Sequence, residues 1–158
     1  MKDLRQSLHI TPITAQYEEV ARQLILDGLE ERFGFLDHSF NPDLKDIMRN
    51  YTQGDAVFLI GLAGNEVVCT GALTRESGTA GRIQRMSVKK SHRREGLAEL
   101  MLQQLEKKAR QAGYRSLKLE TNNEWHSAVS FYTKMGYQVD WKDEERSHFV
   151  KRLDQLRV

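Results

Sequence analysis

Within Ile83–Gly113 the spacing of apolar residues changes once, from the period of a β-strand to that of an α-helix. From Ile83 to Val88 the side chains alternate as they do in a β-strand. The two strand faces would carry Met86 and Val88 on one side, and Ile83, Arg85 and Ser87 on the other. A polar, basic turn, Lys89–Arg94, follows this strand, and the period then becomes that of an α-helix.

The predicted helix begins at Leu97 and has one apolar stripe. The stripe contains Leu97, Leu100, Met101, Leu105, Ala109 and Ala112. The residues expected to face away from it are Glu99, Gln103, Glu106, Lys107 and Arg110. Cations in the last turn suit the negative end of the helix dipole, and Gly113 is a natural residue to end the helix.

The rest of the chain also shows strand and helix patterns. Strands are predicted at Leu8–Ile13, Ala56–Ala63, Val67–Leu73, Ser116–Thr121, Tyr137–Trp141 and His148–Leu153. Ala56–Ala63 is almost continuously apolar, which indicates a strand buried on both faces. Further helices are expected after Thr14, at Pro42 and over Ser127–Met135, with Gly28 and Gly34 loosening the chain between the first two. Hairpins followed by strand–helix–strand–helix–strand indicate a mixed α/β sheet, not a doubly wound one.

The turn before the long helix has the features of an anion site. The first N–H groups of a helix have no partner inside it, and the helix dipole places partial positive charge there. Gly96 lets a ligand oxygen approach the backbone closely, while Arg93 and Arg94 add cationic donors. A pyrophosphate would fit this arrangement. The alternative is a solvated basic turn in which Gly96 only ends the strand pattern.

Two motifs carry a resemblance to a known family. Arg93-Arg94-Glu95-Gly96-Leu97-Ala98 matches the R/Q-x-x-G-x-G/A signature of the GCN5-related N-acetyltransferases, the GNAT family, and follows Met86-Ser87-Val88 at that family's spacing. Ala128-Val129-Ser130-Phe131-Tyr132 with Met135-Gly136-Tyr137 resembles the family's second motif. The similarity covers roughly Ile10 to Leu153. It implies a single N-acyltransferase domain over residues 1–158, with a twisted mixed sheet of about six to seven strands and about four helices.

The resemblance also implies a cosubstrate and the residues that hold it. Acetyl-CoA would bind with its pyrophosphate on the main chain of the turn and its pantetheine arm along Met86–Val88, where one N–H would serve the thioester oxygen. Tyr132 would donate a proton to the leaving thiolate; the alternative is a core aromatic residue. The predicted coenzyme contacts are Met86, Ser87, Val88, Arg93, Arg94, Glu95, Gly96, Leu97, Ala98, Asn123 and Tyr132.

One position departs from the family pattern. Three residues before Ala128 the family often has an asparagine that contacts the coenzyme, whereas this chain has Trp125. Asn122 and Asn123 lie just upstream, so Asn123 is the candidate for that contact. Trp125 is expected to pack against the following helix or to form a pocket wall.

The residue that accepts the proton of the amine is less sharply defined. Glu120 ends its strand on the face opposite Leu117 and Leu119, beside the expected cleft, and could act as the base directly, through water, or only as a partner for a cationic acceptor. Further candidates in the early loop are Asp37, His38 and Asp43. A water chain without any protein base is a further possibility in this family.

Composition excludes several classes of protein. The 158 residues carry 24 Lys and Arg against 22 Asp and Glu, so the net charge of +2 argues weakly against a dedicated nucleic-acid binder. Cys69 is the one cysteine, which leaves no internal disulfide and no CxxC metal site, and no metal is expected. No signal-like or membrane-spanning run occurs, which predicts a cytoplasmic protein without a membrane partner.

The sequence therefore predicts an enzyme that transfers an acetyl group from acetyl-CoA to a primary amine of a small molecule or a peptide, by direct attack in a ternary complex. A catalytically inactive acetyl-CoA sensor is the alternative. The sequence does not identify the acceptor amine, because the loops that line such pockets vary and a fold does not determine a substrate. A homodimer is suggested by family habit alone.

Overall fold

The computed structural model describes residues 7–34 and 41–153 of the chain. The strands in these ranges are β1 (Leu8–Pro12), β2 (Val57–Ala63), β3 (Glu66–Ser77), β4 (Ala80–Val88), β5 (Ser116–Asn122), β6 (Gln138–Lys142) and β7 (Arg146–Arg152). They form a seven-stranded sheet in the order β1-β2-β3-β4-β5-β7-β6. The prediction of a mixed sheet is confirmed.

The helices of the described residues lie on both faces of this sheet. They are α1 (Glu18–Phe33), α2 (Ile47–Tyr51), α3 (Leu97–Gln111) and α4 (His126–Lys134), with one-turn 3₁₀ helices at Ala15–Tyr17, Pro42–Asp46 and Lys90–His92. Thr14 precedes the first 3₁₀ turn, but its side chain makes no capping hydrogen bond. None of these helices is long and apolar enough to cross a lipid bilayer.

Strand pairing changes at the middle of the sheet. All neighbouring strands are antiparallel except β4 and β5, which pair in parallel over three residue pairs that end at Arg82 and Lys118. Both strands continue beyond that point, β4 to Val88 and β5 to Asn122, without pairing to each other. The strands therefore separate and leave an opening, which we call the wedge, between residues 83–88 and 119–122.

Two hydrophobic clusters sandwich the sheet. One cluster contains the buried face of α3, Tyr132 of α4, and Leu117 and Leu119 of β5. The other contains the buried face of α1, residues of α2, and Phe58 and Ile60 of β2. Leu59 of β2 belongs to the first cluster, so successive β2 side chains enter opposite cores. The prediction of a strand buried on both faces is confirmed.

A β-bulge in β4 corrects the predicted strand faces. Ala72 of β3 pairs with Gln84, but Thr70 pairs with Ser87, so β4 has one residue more than β3 between these pairs. The extra residue, Arg85, has a φ of 57°. Because the bulge shifts the alternation, Ile83 and Met86 pack against the same core, although strict alternation put them on opposite faces.

Glu106 on α3 is a second correction. The helical pattern placed it on the solvent side, yet only 7% of the residue is exposed. Its carboxylate accepts a hydrogen bond of 2.8 Å from the Tyr137 hydroxyl and lies 3.1 Å from Lys151 Nζ. Lys151 Nζ also donates to the Met135 carbonyl, so this buried network connects α3, the end of α4 and β7.

Gly28 has a packing role and does not break α1. It lies inside the helix, and a Cβ placed there would be 3.2 Å from Ser87 Oγ of β4. The missing side chain lets α1 approach the strand that borders the wedge. The left-handed residue that ends α1 is Gly34, with a φ of 79°.

Candidate active site

The inner edge of β4 presents to the wedge backbone groups that β5 does not pair, over residues 83–88. The N–H of Lys89 donates to the carbonyl of Val68 on β3, at 2.8 Å. Successive N–H groups of an extended strand point to opposite sides. The N–H of Val88 therefore points away from β3 and into the wedge, where β5 offers no partner.

The bulge that shapes this edge is held by a buried polar cluster. Thr70 is fully buried, and its hydroxyl donates to the Arg85 carbonyl at 2.7 Å. The Arg85 guanidinium donates to both carboxylate oxygens of Asp43, at 3.0 and 2.6 Å, and the Tyr51 hydroxyl donates to the same carboxylate. Asp43 is thus occupied by Arg85 and Tyr51, so the structure does not support its prediction as a free base.

The electrostatics of this cluster agree with its closed geometry. Partial burial would raise the pKa of the Asp43 carboxyl, but the hydrogen bonds from Arg85 and Tyr51 outweigh burial and hold that pKa below its ordinary value. Burial and the adjacent Asp43 carboxylate raise the pKa of Tyr51 to about 12. The cluster therefore keeps one charged carboxylate and a neutral phenol.

The turn between β4 and α3 has two left-handed residues. Arg94 has a φ of 65° and Gly96, which directly precedes α3, has a φ of 80°. Leu97 is 1% exposed and fixes the first turn of α3 in the core. The N–H groups at the start of α3 lack partners within the helix, so this end of α3 offers donors to an anion, as predicted from the pattern.

The two arginines of the turn differ in their surroundings. Arg93 Nε donates to the Val88 carbonyl at 3.3 Å, and Arg93 NH1 pairs with Glu31 of α1 at 2.6 Å. Hydrogen bonding to Arg93 holds the pKa of Glu31 below its ordinary value. Arg94 makes no ion pair within residues 7–34 and 41–153. Arg93 therefore fixes the turn to α1, and Arg94 is the cation left to meet a ligand.

One cavity of about 910 Å³ joins the wedge to the start of α3. Most of the residues predicted from the sequence line it: Met86, Ser87, Val88, Arg93, Arg94, Gly96, Leu97, Ala98, Glu120 and Tyr132. Residues of α1 and α4 close its sides, among them Leu29, Arg32, Ala128 and Phe131. The strand edge, the helix start and both candidate acid–base groups therefore share one space.

Two predicted coenzyme contacts do not line this cavity, Glu95 and Asn123. The Asn123 amide is engaged elsewhere: its Nδ2 donates to the Asp143 carbonyl at 3.0 Å, and its Oδ1 accepts from the Ser147 hydroxyl at 2.6 Å. This side chain connects the β6–β7 turn to the end of β5, so the structure does not place the Asn123 amide in the cavity. Asn122 lines the cavity in its place.

Tyr132 lies in the wall of the cavity, on α4. The residue is 7% exposed and packs edge-on against Phe131 and Tyr137. Its hydroxyl makes no hydrogen bond within the described residues. Burial raises the pKa of Tyr132 above its ordinary value of 10, and the Arg32 guanidinium opposes part of that rise. The phenol therefore keeps its proton at neutral pH.

Glu120 lines the cavity within a cluster of basic side chains. Its Oε1 is 3.0 Å from Arg146 NH1, and its Oε2 is 3.3 Å from His148 Nδ1 and 3.8 Å from Arg82 NH1. The side chain keeps 31% of its surface exposed. This carboxylate is consequently oriented by its basic neighbours and open to the cavity.

Comparison with known families identifies the chain. The profile of the family described as Acetyltransferase (GNAT) family matches residues 21–137, which include the wedge, the turn before α3 and α4. This match covers more than half of the 158 residues. The chain belongs to the GNAT family. The resemblance carried by the two sequence motifs is thereby confirmed.

Solved GNAT structures reproduce the fold at low sequence identity. An acetyltransferase of the GNAT family from Staphylococcus aureus superposes with a TM-score of 0.84 at 20% identity, covering 93% of this chain and 99% of the other. The PaiA N-acetyltransferase of Thermoplasma acidophilum, solved in complex with coenzyme A, superposes with a TM-score of 0.81 at 16% identity, covering 92% and 99%. At these identities the likeness shows the fold alone.

A curated relative is more similar in sequence but longer. N-acetyltransferase family 8 member 2 of Rattus norvegicus is 35% identical over 101 residues, which are 61% of this chain and 45% of the rat protein. The chain thus spans about half the length of the curated mammalian relatives it matches.

Arg32 and Thr121 line the GNAT site but were not predicted from the sequence, whereas Trp125 takes the pocket-wall position that was one of its two expected roles. Arg32 Cζ lies 4.6 Å above the Trp125 ring, and the two residues form part of the cavity wall. Thr121 is 6% exposed, and its hydroxyl has no partner within the described residues. No helical or strand pattern indicates such pairings, which join distant parts of the chain. The candidate bases Asp37 and His38 lie outside the described residues.

Proposed function

We propose that this chain transfers the acetyl group of acetyl-CoA to a primary amine of a small molecule or a peptide, by direct attack in a ternary complex. One observation carries the proposal: the free N–H of Val88 and the start of α3 open into the same cavity. Membership of the GNAT family and the coenzyme A complex of the PaiA protein support it.

The donors around the cavity fit the parts of acetyl-CoA. Backbone N–H groups from Arg94 to Ala98, together with the Arg94 guanidinium, would hold the pyrophosphate. The edge of β4 over Met86–Val88 would hold the pantetheine arm. The Val88 N–H would then donate to the thioester oxygen as negative charge develops on it.

The chemistry requires two protons to leave the acceptor ammonium nitrogen and one proton to reach the thiolate. Glu120 would accept the proton of the acceptor ammonium, directly or through water, which frees the nitrogen lone pair to attack the thioester carbon. The carbon–sulfur bond then breaks, and Tyr132 would donate its proton to the thiolate of coenzyme A. The attacking nitrogen would lose its second proton to the Tyr132 phenolate, which restores the phenol and leaves a neutral amide. Burial suits this role, because Tyr132 remains protonated until the thiolate forms.

The experiment combines binding with turnover. Calorimetry should detect acetyl-CoA binding, and a thiol reagent should detect coenzyme A release with at least one member of a panel of amino acids, polyamines, arylalkylamines and peptides with free N-termini. Binding without release from any amine would instead support the inactive sensor. An absence of binding at millimolar acetyl-CoA would contradict both.

A matched pair of variants tests the proposed coenzyme contact. Arg94→Ala removes a cation from the cavity, whereas Arg110→Ala removes an exposed cation from the far end of α3. We expect acetyl-CoA affinity to fall about tenfold in the first and to stay unchanged in the second, because only Arg94 would make a charge-assisted hydrogen bond to phosphate. Equal affinities would exclude Arg94 from the site.

Assembly and location stay predictions. A homodimer is consistent with the edge strand β6, on which Val139 and Trp141 are about half exposed. Light scattering at several protein concentrations measures the oligomeric state directly. The predicted cytoplasmic location would be tested by fractionation of the native host.

A further inference from the structure

A line of side chains runs from the cavity to the protein surface through His148 on β7. His148 Nδ1 lies 3.3 Å from Glu120 Oε2, and its Nε2 lies 3.6 Å from Asp143 Oδ2. Glu120 faces the cavity, while the Asp143 side chain is 48% exposed in the β6–β7 turn. The imidazole thus stands between a carboxylate at the candidate active site and a carboxylate in solvent.

The fold fixes the position of each member. Antiparallel pairing places Glu120 of β5 directly opposite His148, and Trp141 of β6 opposite it on the other side. The Trp141 ring stacks on the imidazole at 3.7 Å, with 7° between the planes. This stacking orients the ring so that one nitrogen faces each carboxylate.

Asp143 is also held in place by the turn itself. Its Oδ1 accepts hydrogen bonds from the N–H groups of Glu145 and Arg146, at 2.8 and 2.7 Å. Those bonds hold the pKa of Asp143 below its ordinary value, with a smaller effect from His148. The second oxygen is left to face the imidazole, and the carboxylate stays charged at neutral pH.

The contacts of the ring are those of a proton carrier more than those of a structural histidine. A buried histidine in a purely structural role usually satisfies both nitrogens. Here Nε2 is buried and has no hydrogen-bond partner within the described residues, since 3.6 Å to Asp143 is too long for one. A small shift of the exposed Asp143 turn, or one water, would complete the connection.

We propose that His148 takes the acceptor's proton from Glu120 and releases it to water beside Asp143. This inference rests on the proposed acetyl transfer. The ammonium N–H bond breaks, the proton passes through the Glu120 carboxylate to Nδ1, and the ring returns to neutrality by losing a proton to solvent. One proton leaves per acetyl group transferred, and Glu120 is again ionised for the next acceptor. His148 acts through Glu120 and is not itself in contact with the reacting atoms.

Other charged groups lie around the Glu120–His148 pair. Arg82 and Arg146 share the Glu120 carboxylate. The neighbouring strands also carry Lys118 on β5 and Lys142 on β6, and the carboxylates that contact the ring are Glu120 and Asp143. Variants that leave all of these unchanged therefore isolate the imidazole.

The test compares pH–rate profiles of the full chain. We expect His148→Gln to lower kcat about tenfold at pH 7 and less than twofold at pH 9.5, where the amine loses its proton to solvent without help. The KM for acetyl-CoA should stay within about twofold of wild type. His9→Gln, an exposed histidine on β1 outside the cavity, is the matched control and should follow wild type at every pH.

Two further variants make the test robust to misfolding. Asp143→Asn keeps the Oδ1 acceptor of the turn and should lower kcat about threefold at pH 7, with the same recovery at high pH. In His148→Ala, added imidazole should restore part of the pH 7 rate, since the slot beside Trp141 reaches the surface. Should His148→Gln fail to fold by circular dichroism, the Asp143→Asn profile decides.

The outcomes separate the two levels of inference. Suppose that wild type is active and that His148→Gln has the same pH–rate profile as His9→Gln. This result overturns the proposed proton transfer through His148, which we call the relay, and leaves the proposed function standing. So does a rate loss that is equal at all pH values and insensitive to imidazole, because a structural role predicts that pattern. A pH–rate profile of Asp143→Asn that equals the wild-type profile also overturns the relay alone. A wild type that binds acetyl-CoA without acetylating any amine overturns the proposed function, and the relay with it.

Discussion

Asp43 and Glu120 are both carboxylates beside the same wedge, and both interact with arginine, yet their surroundings differ. Asp43 accepts two hydrogen bonds from Arg85 and a third from Tyr51, and it does not line the cavity. Glu120 interacts with Arg146 and His148 and does line it. We call the Asp43 cluster closed, because its carboxylate contacts only protein groups, and the Glu120 cluster open, because its carboxylate also lines the cavity.

The comparison shows that similar residues in one fold can serve different purposes, one structural and the other chemical. The closed cluster joins the 3₁₀ turn before α2 to the bulge at Arg85, and so maintains the shape of the wedge. The open cluster leaves a charged oxygen where an acceptor amine would arrive. Removing the first carboxylate should therefore cost stability, and removing the second should cost turnover.

The largest effect is expected from Glu120→Gln. We expect kcat to fall about 100-fold at pH 7, equivalent to about 2.7 kcal/mol in the barrier, because the amide cannot accept the proton. Steady-state thiol release measures the change, with Glu124→Gln as an exposed control of equal charge. A pH–rate profile identical to wild type would remove Glu120 from the mechanism.

Asp43→Asn should act on stability instead. We expect a loss of about 2 kcal/mol at pH 7 in urea unfolding, because the buried Arg85 loses its charged partner. The folded-state pKa of Asp43 lies below its ordinary value of 3.8. Its contribution is therefore fully present above about pH 4 and disappears as the pH falls through the folded-state pKa.

The control for Asp43→Asn is Asp140→Asn, an exposed aspartate on β6. The difference in stability between wild type and Asp43→Asn should shrink at acid pH, whereas the control should differ little from wild type throughout. A difference that stays constant down to pH 2.5 would contradict the assignment of this acid-sensitive stability to Asp43.

Tyr132→Phe should reduce kcat by about tenfold, or about 1.4 kcal/mol. The effect is smaller than for Glu120 because a thiol of pKa about 8.5 leaves readily without full protonation. Acetyl-CoA affinity should hardly change, and Tyr17→Phe, on the other side of the sheet, should behave as wild type. Undiminished turnover in Tyr132→Phe would make this tyrosine a core residue only.

The smallest effect is expected from alanine substitutions of the two glycines at the ends of α3. Gly96 and Gly113 have φ values of 80° and 86°, so alanine at either position should cost roughly 1 kcal/mol of stability. Only Gly96→Ala should also weaken acetyl-CoA binding, because it lines the cavity. Equal affinities in the two variants, measured by calorimetry, would argue against a pyrophosphate site at Gly96.

Local patterns predicted most of the helices and strands, and most of the site residues predicted from the sequence line the cavity. The change of period between Val88 and Leu97 depends on near neighbours, so β4 and α3 could be recognised from the chain alone. The motif around Gly96 lies within one turn, and its geometry follows from the same short stretch. Tyr132 was singled out because it matches the second motif of the GNAT family, not because a helix or strand pattern indicates its role.

The rest depended on partners far away in the chain. Residues 83–88 read as strict alternation, but Thr70 and Asp43 stabilise the bulge at Arg85 from other elements. Glu106 was expected in solvent because Lys151, its partner, lies 45 residues later. Sequence reasoning put Glu120 before Asp43 as the candidate base, but it could not show that Arg85 and Tyr51 occupy the Asp43 carboxylate.

The short parallel pairing of β4 with β5 has a consequence for solubility. Free strand edges at the rim of a sheet invite other polypeptides to add a strand, and so promote aggregation. Here the free edge of residues 83–88 lies inside the molecule, between α1 and α4. This edge is therefore not at the rim of the sheet, because residues of α1 and α4 line the same cavity and flank it.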